Sequence, residues 1–219
     1  MAVPTGSDGS GISAAARRSM KFRMPLGRHV LVFTASAAVC LGADQPAVTP
    51  LPDDPACTAD DRRFIARTFE LARESTAKGD GGHGAILVKD GKILLEFQSA
   101  TVSMQDLTKH GETGLISLAS RTFGPSGFEG ATLYTSEEPC IMCCGSIRAA
   151  GIHRMVYGVT AVQAHLVGGH PLPVHPIQCR EVYERLDYPI EVRGPLMEKE
   201  GLQLTAEHAA RQKAAHGAQ

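Results

Sequence analysis

The sequence predicts an α/β layered domain, and three observations carry that prediction. From about residue 58 onward, segments of helical period alternate with short apolar runs of strand length, the pattern of helices laid against a sheet. Two of those runs, Ala85 to Val88 and Ile93 to Phe97, are joined by Lys89-Asp90-Gly91-Lys92. Asp-Gly between strands is the strongest short-range hairpin signal. A third run, Met155 to Val159, is apolar without alternation, as in a strand buried on both faces.

With 219 residues the chain holds one domain with a sizeable core and a short appendage, divided here into residues 1–57 and 58–219. Residues 1–23 are rich in Gly, Ser, Ala and Arg and lack hydrophobic period. Arg17, Arg18, Lys21, Arg23 and Arg28 precede an apolar run from Val30 to Ala43 that ends in small residues. Together these read as the charged, apolar and cleavage regions of an export signal, with Arg17-Arg18 resembling a twin-arginine signal. The apolar run is too short to span a bilayer comfortably, so no stable membrane span is expected in the mature protein. The alternative is an N-terminal extension, or a start at Met20 or Met24, in a protein that stays in the cytoplasm. Residues 44–57, rich in Pro, read as a linker.

Within the domain, Thr58 followed by Asp61 resembles a capping box, and Phe64, Ile65, Phe69 and Ala72 recur at helical spacing, giving a helix to about Ala77. Gly79, Gly81, Gly82 and Gly84 stop it, the hairpin follows, and residues 98–107 form a loop. From about Thr108, the side chains of Leu115, Ile116, Ala119 and Phe123 share one face, so His110 and Glu112 fall in the first turn of a helix. Ala131 to Ser136 alternates as a strand. Pro139 opens the next helix where its missing N–H costs nothing, and Gly151 lies just past the end. Residues 160–177 read as a turn-rich loop. Cys179 to Leu186 is a short helix, Ile190 to Arg193 a strand, and 195–216 a weak helix interrupted by Gly201.

Composition narrows the function. Lys plus Arg total 22 against 23 for Asp plus Glu, and the stretch after Gly194 mixes Glu198, Lys199, Glu200, Glu207, Arg211 and Lys213. No basic surface for phosphates is advertised, so a small-molecule substrate is expected and a nucleic acid is not. Of the six cysteines only Cys140 and Cys143 have metal-ligand spacing; Cys144 reads as a buried thiol or an alternative ligand, and Cys57 with Cys179 are the candidates for a disulfide in an oxidising compartment.

Two short stretches carry the chemistry: His110-Gly111-Glu112 and Pro139-Cys140-Ile141-Met142-Cys143-Cys144. One imidazole, two thiolates and a carboxylate not needed as a ligand fit catalytic zinc, which takes three protein ligands and leaves the fourth position to water. Cys140 and Cys143 stand at i, i+3 near a helix start, where unpaired N–H groups and the positive dipole end favour thiolates. Glu112 is the candidate proton carrier. A structural zinc site completed by Cys144 or another His is the competing reading, but it explains neither Glu112 nor Pro139. His165, His170 and His175, five residues apart, share no helical or strand face, which weighs against a second metal.

The pairing of H-x-E with P-C-x-x-C is a signature of zinc-dependent base deaminases. Over about residues 58–195 the sequence resembles the cytidine deaminase-like superfamily, in the branch of guanine deaminases, other nucleobase or nucleoside deaminases and tRNA adenosine deaminase. The likeness rests on His110-Gly111-Glu112, on Tyr134 to Cys143 and on Val156-Tyr157-Gly158. It implies a three-layer α/β/α sandwich with a five-stranded mixed sheet, Zn²⁺ held by His110, Cys140 and Cys143, catalysis by Glu112, and a homodimer. Gly111 stands where the family usually has Ala. His83 replaces an aromatic that helps wall the base pocket, and Ser99 stands where an Asn that holds substrate is usual, making both candidate substrate-binding residues. The expected activity is hydrolytic deamination of a small nucleobase, nucleoside or related amino-heterocycle, with guanine the first guess. The alternatives are an inactive, zinc-stabilised binding module and a tRNA adenosine deaminase.

Overall fold

The computed structural model describes residues 48–169 and 177–217. Its elements run α1 (Ala59–Ala77), β1 (Gly84–Lys89), β2 (Lys92–Gln98), α2 (Gly111–Phe123), β3 (Thr132–Glu137), α3 (Ile141–Ala149), β4 (Arg154–Val159), α4 (Ala161–Gly168), α5 (Cys179–Arg185), β5 (Glu191–Arg193) and α6 (Glu198–Gly217). The strands form one mixed sheet in the order β2-β1-β3-β4-β5. β1 is antiparallel to both β2 and β3, while β3, β4 and β5 run parallel.

Alternation along the strands divides the apolar side chains between two cores. Ala85, Leu87, Leu133, Met155 and Tyr157 pack with Leu115, Ile147 and Tyr183 of α2, α3 and α5. Ile86, Val88, Tyr134 and Val156 pack with Phe64, Phe69 and Leu202 of α1 and α6. The three-layer α/β/α sandwich follows directly from that division. β4 is buried from Met155 through Val159, as its unbroken apolar run predicts. The hairpin turns through Asp90 and Gly91, both at positive φ (51° and 70°), the conformation for which Asp-Gly is suited.

The capping box at the start of α1 forms as predicted: the Asp61 amide donates to Thr58 Oγ1 (3.1 Å) and the Thr58 amide to Asp61 Oδ2 (2.8 Å). The same carboxylate reaches the sheet. It accepts from the Tyr134 hydroxyl at 2.7 Å and from Arg154 at 3.0 Å and 3.1 Å, so one buried acid ties α1 to β3 and β4.

Several expectations are corrected. Residues 161–168 form a helix, α4, rather than a loop; Thr160 caps it by accepting from the Gln163 amide, and Ala164 is buried beneath it. α6 runs through Gly201 without interruption. A Cβ there would stand 2.1 Å from Val159 Cγ2 and 2.9 Å from Phe69 Cζ, so the glycine lets the helix lie close on the sheet instead of breaking it. Both metal-motif helices start later than expected, with His110 and Cys140 as extended N-cap residues outside the first turn. Cys57 and Cys179 are free thiols. Cys179 lies in the core on the α2–α3–α5 side of the sheet and Cys57 against the other, so the sheet stands between them.

The described end of the expected linker is fastened to the domain. The Asp54 amide donates to Pro195 O (2.8 Å), the Gly194 and Met197 amides donate to Asp54 and Asp53 carboxylates, and the Leu51 amide donates to Glu198 Oε2 (2.5 Å). The signal-like segment, His170 and His175 lie outside the described residues. Among the described residues, no helix is long and apolar enough to cross a membrane.

Candidate active site

Two helices begin at the same end of the sheet, and each presents a motif there. His110 caps α2 and Cys140 caps α3, so their side chains extend from the points where the chain turns into a helix. Cys143, one turn into α3, is 1% exposed. The two sulfurs are 3.6 Å apart, and His110 Nδ1 is 3.8 Å from Cys140 Sγ and 3.7 Å from Cys143 Sγ. A tetrahedral zinc with Zn–S bonds of about 2.3 Å and a Zn–N bond of about 2.0 Å has S···S and S···N edges of roughly 3.8 Å and 3.6 Å. The donor set therefore fits the metal in both kind and spacing, and among the described residues it is the group of three potential ligands that comes together.

Without the metal, charge is already unevenly shared. The hydrogen bond from Cys143, helped by His110 and opposed by burial, pushes the Cys140 thiol down to about 4. Cys143 is driven the other way, first by that hydrogen bond and then by burial and the nearby charges of Glu112 and Cys140. The thiolate thus sits on the more open residue at the N-cap. His110 is raised by its hydrogen bond to Cys140, against burial.

Glu112, in the first turn of α2, is 5% exposed. Its Oε1 accepts from Thr135 Oγ1 at 2.9 Å, and its Oε2 lies 3.4 Å from Cys143 Sγ. The carboxylate is thereby fixed beside the donor cluster. α2 can lie this close to the sheet because its glycines are bare: a Cβ on Gly111 would approach Ala85 N to 3.3 Å, and one on Gly114 would overlap the Phe97 ring at 2.0 Å. Gly111 in place of the family's Ala is thus consistent with tight seating of this helix on β1.

Cys144 is fully buried, with its sulfur 3.5 Å from Pro139 O, and takes no place in the cluster. Glu138 is occupied in structure: its carboxylate accepts from the Ala161 amide (3.1 Å) and the Cys179 amide (2.8 Å), fastening the start of α3 to α4 and α5.

Beside the donor cluster opens a cleft of about 350 Å³. Cys140, Glu137 and His83 line one side; Thr205, His208 and Gln212 of α6, with His165 of α4, line the other. His83 is thus a residue of the cleft wall. Ser99 backs the wall instead: its hydroxyl stands 2.8 Å from where a Cβ of Gly81 would be, and its amide donates to His83 O at 2.7 Å. Glu137 and the α6 residues are absent from the sequence reading. The recurrence of Thr205, His208 and Gln212 at one helical face is the signal that marks the latter.

Residues 58–159 match the family described as the cytidine and deoxycytidylate deaminase zinc-binding region. A Schizosaccharomyces pombe protein named "Probable cytosine deaminase" is 30% identical over 145 residues, covering 65% of this chain and 88% of its own length. The guanine deaminase of Bacillus subtilis is 34% identical over 131 residues, covering 59% of this chain and 79% of that one. In structure, the guanine deaminase of Nitrosomonas europaea superposes with a TM-score of 0.57 over 76% of this chain and 89% of that chain, at 20% identity, and shares the fold. From its matched region and its relatives, this chain belongs to the cytidine and deoxycytidylate deaminase family described by that zinc-binding region.

Proposed function

We propose that this protein hydrolytically deaminates a small amino-purine or amino-pyrimidine base, with guanine the first compound to test. One observation carries the reading: a His/Cys/Cys donor set of zinc dimensions lies beside a buried carboxylate and opens on a cleft the size of a single heterocycle. His110, Cys140 and Cys143 would hold the metal, and zinc bound by three protein ligands supplies a water whose pKa is lowered to about 7. Once Cys143 is a thiolate its sulfur has no proton to offer, and Glu112 Oε2 is left to accept one from water. Thr135 keeps Oε1 engaged, so the carboxyl group carries its proton on the side facing the cluster. It then delivers that proton to the ring nitrogen, takes a second from the new hydroxyl of the tetrahedral adduct and hands it to the amino group as it leaves as ammonia, two uptakes and two deliveries by one positioned acid–base group.

The pocket favours free bases over tRNA. α6 walls the cleft, and the cleft-lining side chains it supplies, Thr205, His208 and Gln212, include no lysine or arginine. The electrostatic affinity for a nucleic-acid backbone comes chiefly from such cations. The test is metal analysis together with ammonia release on guanine, adenine, cytosine and their nucleosides. One zinc per chain with release from at least one base is expected, and His110→Ala loses both. Inosine formed in tRNA without turnover of any base or nucleoside overturns the substrate choice.

A further inference from the structure

We infer that Glu137, steadied by His83, is a specificity-determining acceptor that selects heterocycles whose six-membered ring edge carries a second N–H donor group besides the amino group removed. The inference rests on the deaminase reading and names its substrate class more closely.

The register of the sheet creates the pair. β1 and β3 are antiparallel with Ala85 opposite Thr135, which carries His83, just before β1, to the position opposite Glu137 at the end of β3. Both residues follow the parity of Ala85 and Thr135, the face on which α2 and its Glu112 lie. Both line the cleft, and Cys140 follows Glu137 by three residues. The substrate space therefore has a carboxylate close to the metal end, where the family resemblance leads one to expect an aromatic wall at position 83.

That carboxylate has unused capacity. An ionised carboxyl group offers about four acceptor positions. Among the described residues Glu137's partner is His83, whose Nδ1 lies 3.6 Å from Oε2, a polar contact too long for a hydrogen bond. Its side chain is 27% exposed, toward the cleft. Contrast Glu138, next in sequence, whose two oxygens are both taken by backbone amides. The acceptor positions of Glu137 are thus left for a donor brought by whatever occupies the cleft. A ring edge with an exocyclic amine or ring N–H supplies that donor; a bare ring edge does not. Sites built to hydrogen-bond a polar group reject analogues that lack it, because the buried partner is then left unpaired.

The experiment compares 2,6-diaminopurine with adenine, which differ by one amino group, by calorimetric binding to zinc-loaded Glu112→Ala protein and by turnover of the otherwise wild-type enzyme. Glu137→Leu in each background is expected to weaken 2,6-diaminopurine about 10- to 100-fold, chiefly in Kd and KM, and to change adenine less than about threefold. Glu137→Gln, nearly isosteric, keeps one acceptor and shows a smaller loss in the same direction; His83→Phe does likewise with Glu137 intact. Zinc content and Tm of each variant report on folding. Equal losses on both purines, no loss on either, or failure of the Glu112→Ala protein to bind 2,6-diaminopurine would each overturn the inference. Preserved discrimination in binding without turnover by the wild type supports it while the deaminase reading fails; turnover with unchanged preference in Glu137→Leu does the reverse.

Discussion

The metal end and the helical roof of the cleft are built in opposite ways. At the metal end every participant belongs to a short segment, with His110 and Glu112 two residues apart and Cys140 and Cys143 one turn apart, each set at the start of its own helix. The roof is assembled from distance: His165 on α4 and Thr205, His208 and Gln212 on α6 reach the cleft because Glu198 and Gly201 hold these helices down. Chemistry that needs fixed donors is written locally, while the surface that chooses among substrates depends on packing between remote elements.

The largest effect should come from the metal end alone. Glu112→Ala is expected to keep zinc and Tm but lose about 10² to 10⁴ in turnover, roughly 3–5 kcal/mol of barrier. Steady-state kinetics beside metal analysis checks it. If zinc leaves as well, Glu112 is a ligand and the division of labour at this end fails.

A second variant strikes the frame both regions share. Asp61→Ala removes the side-chain half of the α1 capping box and leaves Arg154 and Tyr134 without their common partner. Breaking a buried pair costs about 3–5 kcal/mol, and because the Arg154 side chain is 27% exposed, about 2–3 kcal/mol is expected in denaturant unfolding. Burial pushes Asp61 up, but hydrogen bonds from the Thr58 amide, Tyr134, the Thr58 hydroxyl and Arg154 outweigh it and hold the carboxyl below its ordinary 3.8. A lowered folded-state pKa gives stability that is full above the unfolded value and lost as pH falls through the folded one. The gap between wild type and Asp61→Ala should therefore be constant near neutrality and close below about pH 4.

The smallest effect falls on the roof. Gly201→Ala forces a methyl against Val159 and Phe69, a cost of about 1–3 kcal/mol from overpacking, offset by about 1 kcal/mol of helix propensity. A slightly lower Tm and a raised KM with unchanged zinc content are the expected signature. A fall in kcat alone would show that the two regions are more tightly coupled than the comparison says.

The same contrast explains what was legible beforehand. The hairpin, the α1 capping box, the buried β4 and the motifs declare themselves through local rules, and all take their predicted places within a residue or two. Helix starts shifted because His110 and Cys140 are caps, a role that depends on backbone angles and leaves little trace in residue type. α4 escaped notice because it shows almost no polar–apolar sidedness and is followed at once by glycines and prolines. Gly201 reads as a helix breaker until Val159 is seen beneath it, and Glu137 reads as a neighbour of the motif until the strand register sets His83 across from it.

One buried carboxylate gives the molecule an order in time. Glu198 accepts from the Leu51 amide at one extreme of the described chain and from the Thr160 amide and hydroxyl, at 3.0 Å and 2.8 Å, in front of α4. Until residue 198 has been made, neither segment has this anchor. A ribosome adding roughly 5–20 residues per second completes the last metal donor, Cys143, several seconds before the helix that roofs the cleft. On the growing chain, the donors emerge while that side of the site is still open, and the cleft is closed by a helix synthesised after all three of them.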